Sequence, residues 1–122
     1  MEMKHIDHIE YHHNQWWWGE SITMIYDICV CLVELQICND MPNMAFIKAL
    51  SVLPYYRQRG IGGYMLAACE ELARHNDVPF LQLNVDRNEE WLVNWYQRRG
   101  FVVTGEDDHE YRMTKPLANN VK

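Results

Sequence analysis

No stretch of about 20 apolar residues occurs in this 122-residue chain, so no membrane-spanning helix is expected. The first twenty residues hold four of the six histidines and scattered charges, without the basic-then-apolar layout of a secretory signal. The cytoplasm is the simplest compartment for such a chain. Cys-x-x-Cys pairs are missing too. The cysteines Cys29, Cys31, Cys38 and Cys69 lack zinc or redox spacing, and three share one apolar stretch. They are expected to act as small buried hydrophobes, with no metal held by the protein. Basic residues are in deficit, 11 against 17 acidic ones, for a formal charge of −6. That balance argues against nucleic acid, which needs a basic face. It mildly favours a cationic acceptor by long-range attraction, an effect that salt screens. Repeats, low-complexity tracts and Gly/Ser linkers are also absent, so residues 1–122 read as one domain. At 48% apolar, the chain can build a core without disulfide or metal staples.

What is present reads as alternating strands and helices. Residues 5–18 carry Ile6, Ile9 and His13 at roughly helical spacing, with no Pro or Gly before Gly19, which predicts a short helix. Residues 21–38 are rich in Ile, Val, Cys and Thr, and Glu34 and Gln36 alternate with Val33, Leu35 and Ile37. Two strands meeting near Asp27 are expected there. Asn39 to Asn43 form a turn, and 44–52 a further strand ending before Pro54. From Gly60 to His75, Ile61, Met65, Ala68, Cys69 and Leu72 trace the apolar stripe of an amphipathic helix. Phe80–Val85 is a short strand. Asn88 is expected to cap a second helix, with Glu89 and Glu90 in its first turn and Gly100 at its left-handed exit. Strands 101–104 and 109–114 follow, joined by an acidic turn. The mixture points to an α/β sheet with packed helices.

The most informative residues lie between strand 44–52 and the helix from Gly60. A helix N-terminus leaves backbone N–H groups unpaired and carries partial positive charge. It binds phosphate where the backbone can approach closely. Gly60, Gly62 and Gly63 permit that approach, and Arg57 and Arg59 add cationic donors. Neither a dinucleotide Gly-x-Gly-x-x-Gly nor a Gly-Lys-Ser/Thr loop is present. On the local pattern alone, glycines that merely allow tight packing are the competing reading.

The run Val52-Leu53-Pro54-Tyr55-Tyr56-Arg57-Gln58-Arg59-Gly60-Ile61-Gly62 resembles the acetyl-coenzyme A motif of GNAT N-acetyltransferases, whose core is Arg/Gln-x-x-Gly-x-Gly/Ala after a strand. Asn88 through Trp95-Tyr96-Gln97-Arg98-Arg99-Gly100-Phe101 resembles the same family's later helix, and Tyr111 to Leu117 its last strand. The resemblance implies a mixed, mostly antiparallel sheet with splayed central strands and helices on both faces. It implies acetyl-CoA as co-substrate, an amine acceptor (a small amine, or a protein lysine or N-terminus) and direct transfer without a covalent enzyme intermediate. A homodimer is compatible with it.

By the same resemblance, backbone amides of Arg57, Gln58, Arg59, Gly60, Ile61, Gly62 and Gly63 would hold the coenzyme pyrophosphate. Leu50, Ser51 and Val52 would pair with the pantetheine arm, and Asn88 would lie near that arm or the phosphate. Tyr96 would face the sulfur, where a phenol can protonate the departing thiolate. Its competing role is as part of the buried face of an aromatic-rich helix. Many members place a glutamate near the position of Lys48, and Phe46 to Val52 holds no carboxylate. Glu34 on the neighbouring strand is one substitute as general base, and water relayed through Ser51 or backbone carbonyls is another. The family's usual opening strand and two helices do not fit in the roughly 20 residues before the first clear strand. The acceptor site is therefore expected to be open or completed by a partner.

His5, His8, His12 and His13 lack the His-Glu-x-x-His arrangement of zinc proteases. Trp16, Trp17 and Trp18 cannot share one helix face, so at least one is expected to be exposed, with two in the core. A second function class stays open: a coenzyme-binding module without useful turnover, acting through a protein partner.

Overall fold

The computed structural model describes residues 8–27 and 30–117, so His5 and Cys29 fall outside the described residues. Strands β1 (Ile9–Trp16), β2 (Gly19–Tyr26), β3 (Cys31–Cys38) and β4 (Met44–Val52) lead through a 3-10 turn (Pro54–Tyr56) into helix α1 (Ile61–His75). Then come β5 (Phe80–Asp86), α2 (Glu90–Gln97), β6 (Val102–Glu106) and β7 (Glu110–Pro116). The seven strands form one sheet in the order β1-β2-β3-β4-β5-β7-β6. Every neighbouring pair is antiparallel except β4–β5. No helix among the described residues is long and apolar enough to cross a membrane.

Alternation along the strands decides which face is buried. Met24 lies opposite Val33, Leu35 opposite Ile47, Ala45 opposite Leu81 and Leu83 opposite Met113, and all eight are buried. Met65, Leu66, Cys69 and Ala73 of α1 join that core, as do Val93 and Tyr96 of α2 and Phe101 after it. Each buried Leu, Ile, Val, Met or Phe among them contributes about 1.5–3 kcal/mol by leaving water. Both helices therefore cover the same face. The expectation of helices on both faces is corrected to this extent: among the described residues the second face has none. The physical reason is the short β1–β2 connection, in which two residues stand between adjacent antiparallel strands.

The helix expected over 5–18 is also corrected, since Ile9–Trp16 is a strand paired in full register with β2, from Ile9↔Tyr26 to Trp16↔Gly19. An edge strand exposed along most of its length need not alternate apolar and polar residues, so its period was hidden. The tryptophans do not put two rings in the core. Trp17 is 90% exposed, while Trp16 and Trp18 stack on each other with centroids 6.1 Å apart. Trp16 Nε1 donates to Ser21 Oγ at 3.0 Å, and Asn39 Nδ2 donates to the Trp17 carbonyl at 3.0 Å. Those bonds tie the hairpin tip to the sheet.

Gly19 makes this hairpin possible. Its φ is 153°, and a Cβ there would stand 2.1 Å from the Ile37 carbonyl oxygen, a backbone atom that cannot step aside. Gly19→Ala is expected to destabilise the fold by on the order of 3 kcal/mol, from backbone strain plus overpacking. Urea unfolding reads this directly, and a loss below about 1 kcal/mol would contradict the geometry.

Two irregularities open the middle of the sheet. β4 and β5 pair only at Met44↔Phe80, Ala45↔Leu81 and Phe46↔Gln82. Beyond those pairs the strands splay. On its other side β4 pairs Leu35 with Ile47 but Glu34 with Ala49, so Lys48 is the extra residue of a bulge. A bulge bends its strand and adds twist, which swings the end of β4 away from β5.

Candidate active site

At the end of the splay, the chain leaves β4 and enters α1 through a tight turn. Gln58 has φ 65° and Gly60 φ 82°, both left-handed. The first backbone bond of α1 runs from Tyr64 N–H to the Gly60 carbonyl at 3.0 Å. From Gln58 through Gly63, no backbone N–H finds a partner among the described residues. That is a run of unpaired donors at a positive helix end, an arrangement that favours anions. A Cβ at Gly60 would meet nothing within 4 Å, and one at Gly62 would meet Trp95 at 3.5 Å and Val52 at 3.7 Å. The outer side of the turn is therefore open. Arg57 Nε donates to the Val52 carbonyl at 3.1 Å, and the Arg59 guanidinium lies 5.2 Å from the Tyr55 ring centre and 5.3 Å from that of Tyr56. These contacts hold cationic groups beside the donors without filling the turn.

Leu50, Ser51 and Val52 occupy the last part of β4, where its β3 side is paired and its β5 side is not. Their main chain lines the slot between the splayed strands. Ser51 is exposed, while Leu50 and Val52 pack against the core. The main chain of the turn and of Leu50 to Val52 is thus open on one side to a bound molecule.

Tyr96 sits on α2 with 5% of its surface exposed, edge-on to Trp95 (5.0 Å) and to Phe101 (5.4 Å). Its hydroxyl makes no hydrogen bond to a described residue, yet no buried polar side-chain atom among them lacks a partner. The phenol oxygen is therefore open to solvent. Burial, reinforced by Cys69 and Cys31 and opposed by Arg99, pushes its pKa up to about 12. It stays protonated at neutral pH, the state an acid requires.

Cys31 is pushed by burial to about 11, and Cys69 to about 12, by burial first and then by Cys31 and Glu70. Neither is poised as a nucleophile. Unfolding returns these thiols and Tyr96 to lower pKa values, so above about pH 9 the unfolded chain loses protons first. Stability from these groups is expected to be intact below pH 9 and to drain away between about pH 9 and 12. Urea midpoints across that range test this, and a midpoint constant to pH 11 would refute it.

The remaining sequence-expected residues are less well gathered. Asn88 does not cap α2. Glu89 is the N-cap, without a side-chain bond, because Asn88 turns its backbone N–H to Asp86 Oδ1 at 2.8 Å. Arg99 Nη1 donates to the Trp95 carbonyl in the last turn of α2 at 3.1 Å, and Gly100 takes φ 99°. Glu34 lies on the sheet face without helices, accepting from Gln36 Nε2 at 3.0 Å. It does not line the cavity at the mouth of the splay. That cavity, about 230 Å³, is bounded by Phe46, Ile47 and Lys48 of β4, Gln82, Leu83 and Asn84 of β5, and Glu106, Asp107, Glu110 and Arg112 around the β6–β7 turn. Sequence reasoning noted the acidic turn without placing it at the site. The missing signal was strand order, because β7 inserts between β5 and β6 and carries the turn across. The histidines in and just before β1 face carboxylates instead of one another: His8 meets Asp27 at 3.8 Å, His12 meets Glu10 at 3.5 Å and His13 meets Glu20.

Comparison with known proteins bears on the family and the fold. The family model for the acetyltransferase (GNAT) family matches residues 2–101. A mycothiol acetyltransferase of Acidimicrobium ferrooxidans is 29% identical over 77 residues, covering 63% of this chain and 25% of that protein. The chain thus spans about a quarter of that curated relative's length. Among solved structures, the PaiA N-acetyltransferase of Thermoplasma acidophilum in complex with coenzyme A superimposes with TM-score 0.69 at 23% identity, over 80% of this chain and 60% of that one. A GNAT family acetyltransferase of Elizabethkingia anophelis with acetyl-CoA bound gives TM-score 0.71 at 16% identity, over 91% and 99% of the two chains.

Proposed function

Because this chain belongs to the acetyltransferase (GNAT) family, we propose that it transfers the acetyl group of acetyl-coenzyme A directly to an amine. One observation carries the reading. The unpaired amides from Gln58 to Gly63 stand at one end of a slot whose other end is a solvent-open cavity, with β4 running between. A diphosphate on the amides lays an arm along Leu50 to Val52 and brings a thioester to the bulge at Lys48. There the bulge frees main-chain groups from pairing, and donors aimed at the thioester oxygen would stabilise the charge that develops on it.

The neutral amine attacks the carbonyl carbon, the C–N bond forms, and the carbon–sulfur bond breaks. Tyr96 supplies its hydroxyl proton to the departing thiolate and regains one from solvent. The proton released by the amine leaves through water in the open cavity or through Glu110, which lines it. Most of the rate enhancement comes from holding the two reactants in contact. Cys31 and Cys69 take no part, consistent with transfer without an acyl-enzyme.

The deciding assay follows free thiol release from acetyl-CoA with a panel of amines and peptides, with mass spectrometry of the product. Amine-dependent release and a product heavier by one acetyl group are expected. Tight coenzyme binding with no amine-dependent release would instead establish the binding-module reading.

A further inference from the structure

The cavity at the mouth of the splay holds five charged side chains, and they are not equivalent. Two of its carboxylates are already engaged by the protein. Asp107 Oδ1 accepts the backbone N–H groups of His109 and Glu110, each at 2.7 Å, and so builds the β6–β7 turn. Glu106 pairs with Arg87 at 3.9 Å, and Arg87 in turn donates to the Asp107 carbonyl at 2.7 Å. The other three, Lys48, Glu110 and Arg112, have no ion pair or side-chain hydrogen bond among the described residues. The groups free to meet a ligand are therefore two cations and one carboxylate.

These cations are placed by the backbone. Lys48 is the extra residue of the β4 bulge, outside the regular pairing with β3. Arg112 lies over Gly105, where an added Cβ would come within 2.4 Å of its Nη1. The guanidinium thus has a seat that any side chain at position 105 would take. Both line the cavity at the point where a thioester carried by the slot would end.

We propose that the acceptor bears an anionic group, a carboxylate or a phosphate, beside its reactive amine. Lys48 and Arg112 receive the anion, and Glu110 receives the amine. This rests on the acetyl-transfer reading above. It also reverses the weak pull of the net charge, −6, toward a cationic acceptor. Screening limits distant charges to about 8–10 Å, so the unengaged groups at the site decide. Charge-assisted bonds of this kind change affinity by roughly tenfold to a hundredfold each.

The test uses matched primary amines: propylamine against β-alanine, and ethanolamine against O-phosphoethanolamine. At least a tenfold higher kcat/KM for the anionic member of one pair is expected, and the pair that shows it distinguishes carboxylate from phosphate. Arg112→Gln should erase the preference by raising acceptor KM, with KM for acetyl-CoA unchanged, and Arg112→Lys should restore part of it. Lys48→Glu should turn preference toward diamines. Thermal melts of each variant check that it is folded. Equal use of both members, preference for uncharged amines or diamines by the natural chain, or an Arg112→Gln variant that keeps the preference would overturn the proposal. Acetyl-CoA binding by calorimetry, with no amine in the panel acetylated, also overturns it. Loss of coenzyme binding itself would overturn the acetyl-transfer reading as well, and so separates the two failures.

Discussion

Tyr96→Phe is expected to lower acetyl transfer by about two to four orders of magnitude, the range typical of a lost general acid. Coenzyme affinity should stay within a factor of two or three, because the turn from Gln58 to Gly63 is untouched. The change is selective because phenylalanine keeps the ring that packs on Trp95 and Phe101. Only the hydroxyl is lost, and it holds no described residue in place. Rapid-mixing single-turnover measurements are the right readout, since slow product release would mask the chemical step. A variant with unaltered turnover would show that water protonates the thiolate and that Tyr96 only fills the core.

Gly62→Asp is expected to separate folding from coenzyme binding. The first turn of α1 has no acidic residue, although the helix dipole favours one there by about 0.3–1 kcal/mol. A Cβ at Gly62 meets Trp95 and Val52 only at ordinary contact distance. The folded chain should therefore be as stable as before or slightly more so. A carboxylate about 4 Å from a diphosphate charge, however, costs about 4 kcal/mol at an effective dielectric of 20. Coenzyme affinity should fall by about three orders of magnitude. Calorimetric titration with coenzyme A alongside a thermal melt gives both numbers, and an affinity kept within tenfold would place the pyrophosphate elsewhere.

How much of this was legible in the sequence depended on how local each cause is. Helix α1 was readable because its stripe and its glycine-rich entry lie within one continuous segment. β2 and β3 were readable because one face of each is buried and one is not, which writes a period of two. β1 was not, because Tyr11 to Trp16 are exposed whichever way they point. The cap of α2 was misplaced by one residue, since Asp86 captures the Asn88 amide and shifts the start of the helix. The bulge at Lys48 leaves no local mark. It arises from how two separate strands keep their apolar faces in phase. Glu110 and Arg112 could not be assigned to the site without knowing that β7 lies beside β5.

The splay has a mechanical consequence as well as a chemical one. Three residue pairs are the whole backbone seam between the β1–β4 half of the sheet and the β5–β7–β6 half, with the helices bridging above. A molecule threaded into that seam fastens the halves together. At a hundredfold excess over its Kd it would add about 2.7 kcal/mol to the stability of the folded chain. Amide hydrogen exchange along Ile47–Val52 and Leu83–Asp86 should be the part of the sheet that slows most when coenzyme A is added. Substrate would then be the missing rung of the sheet, and the protein would reach its full cohesion only when loaded.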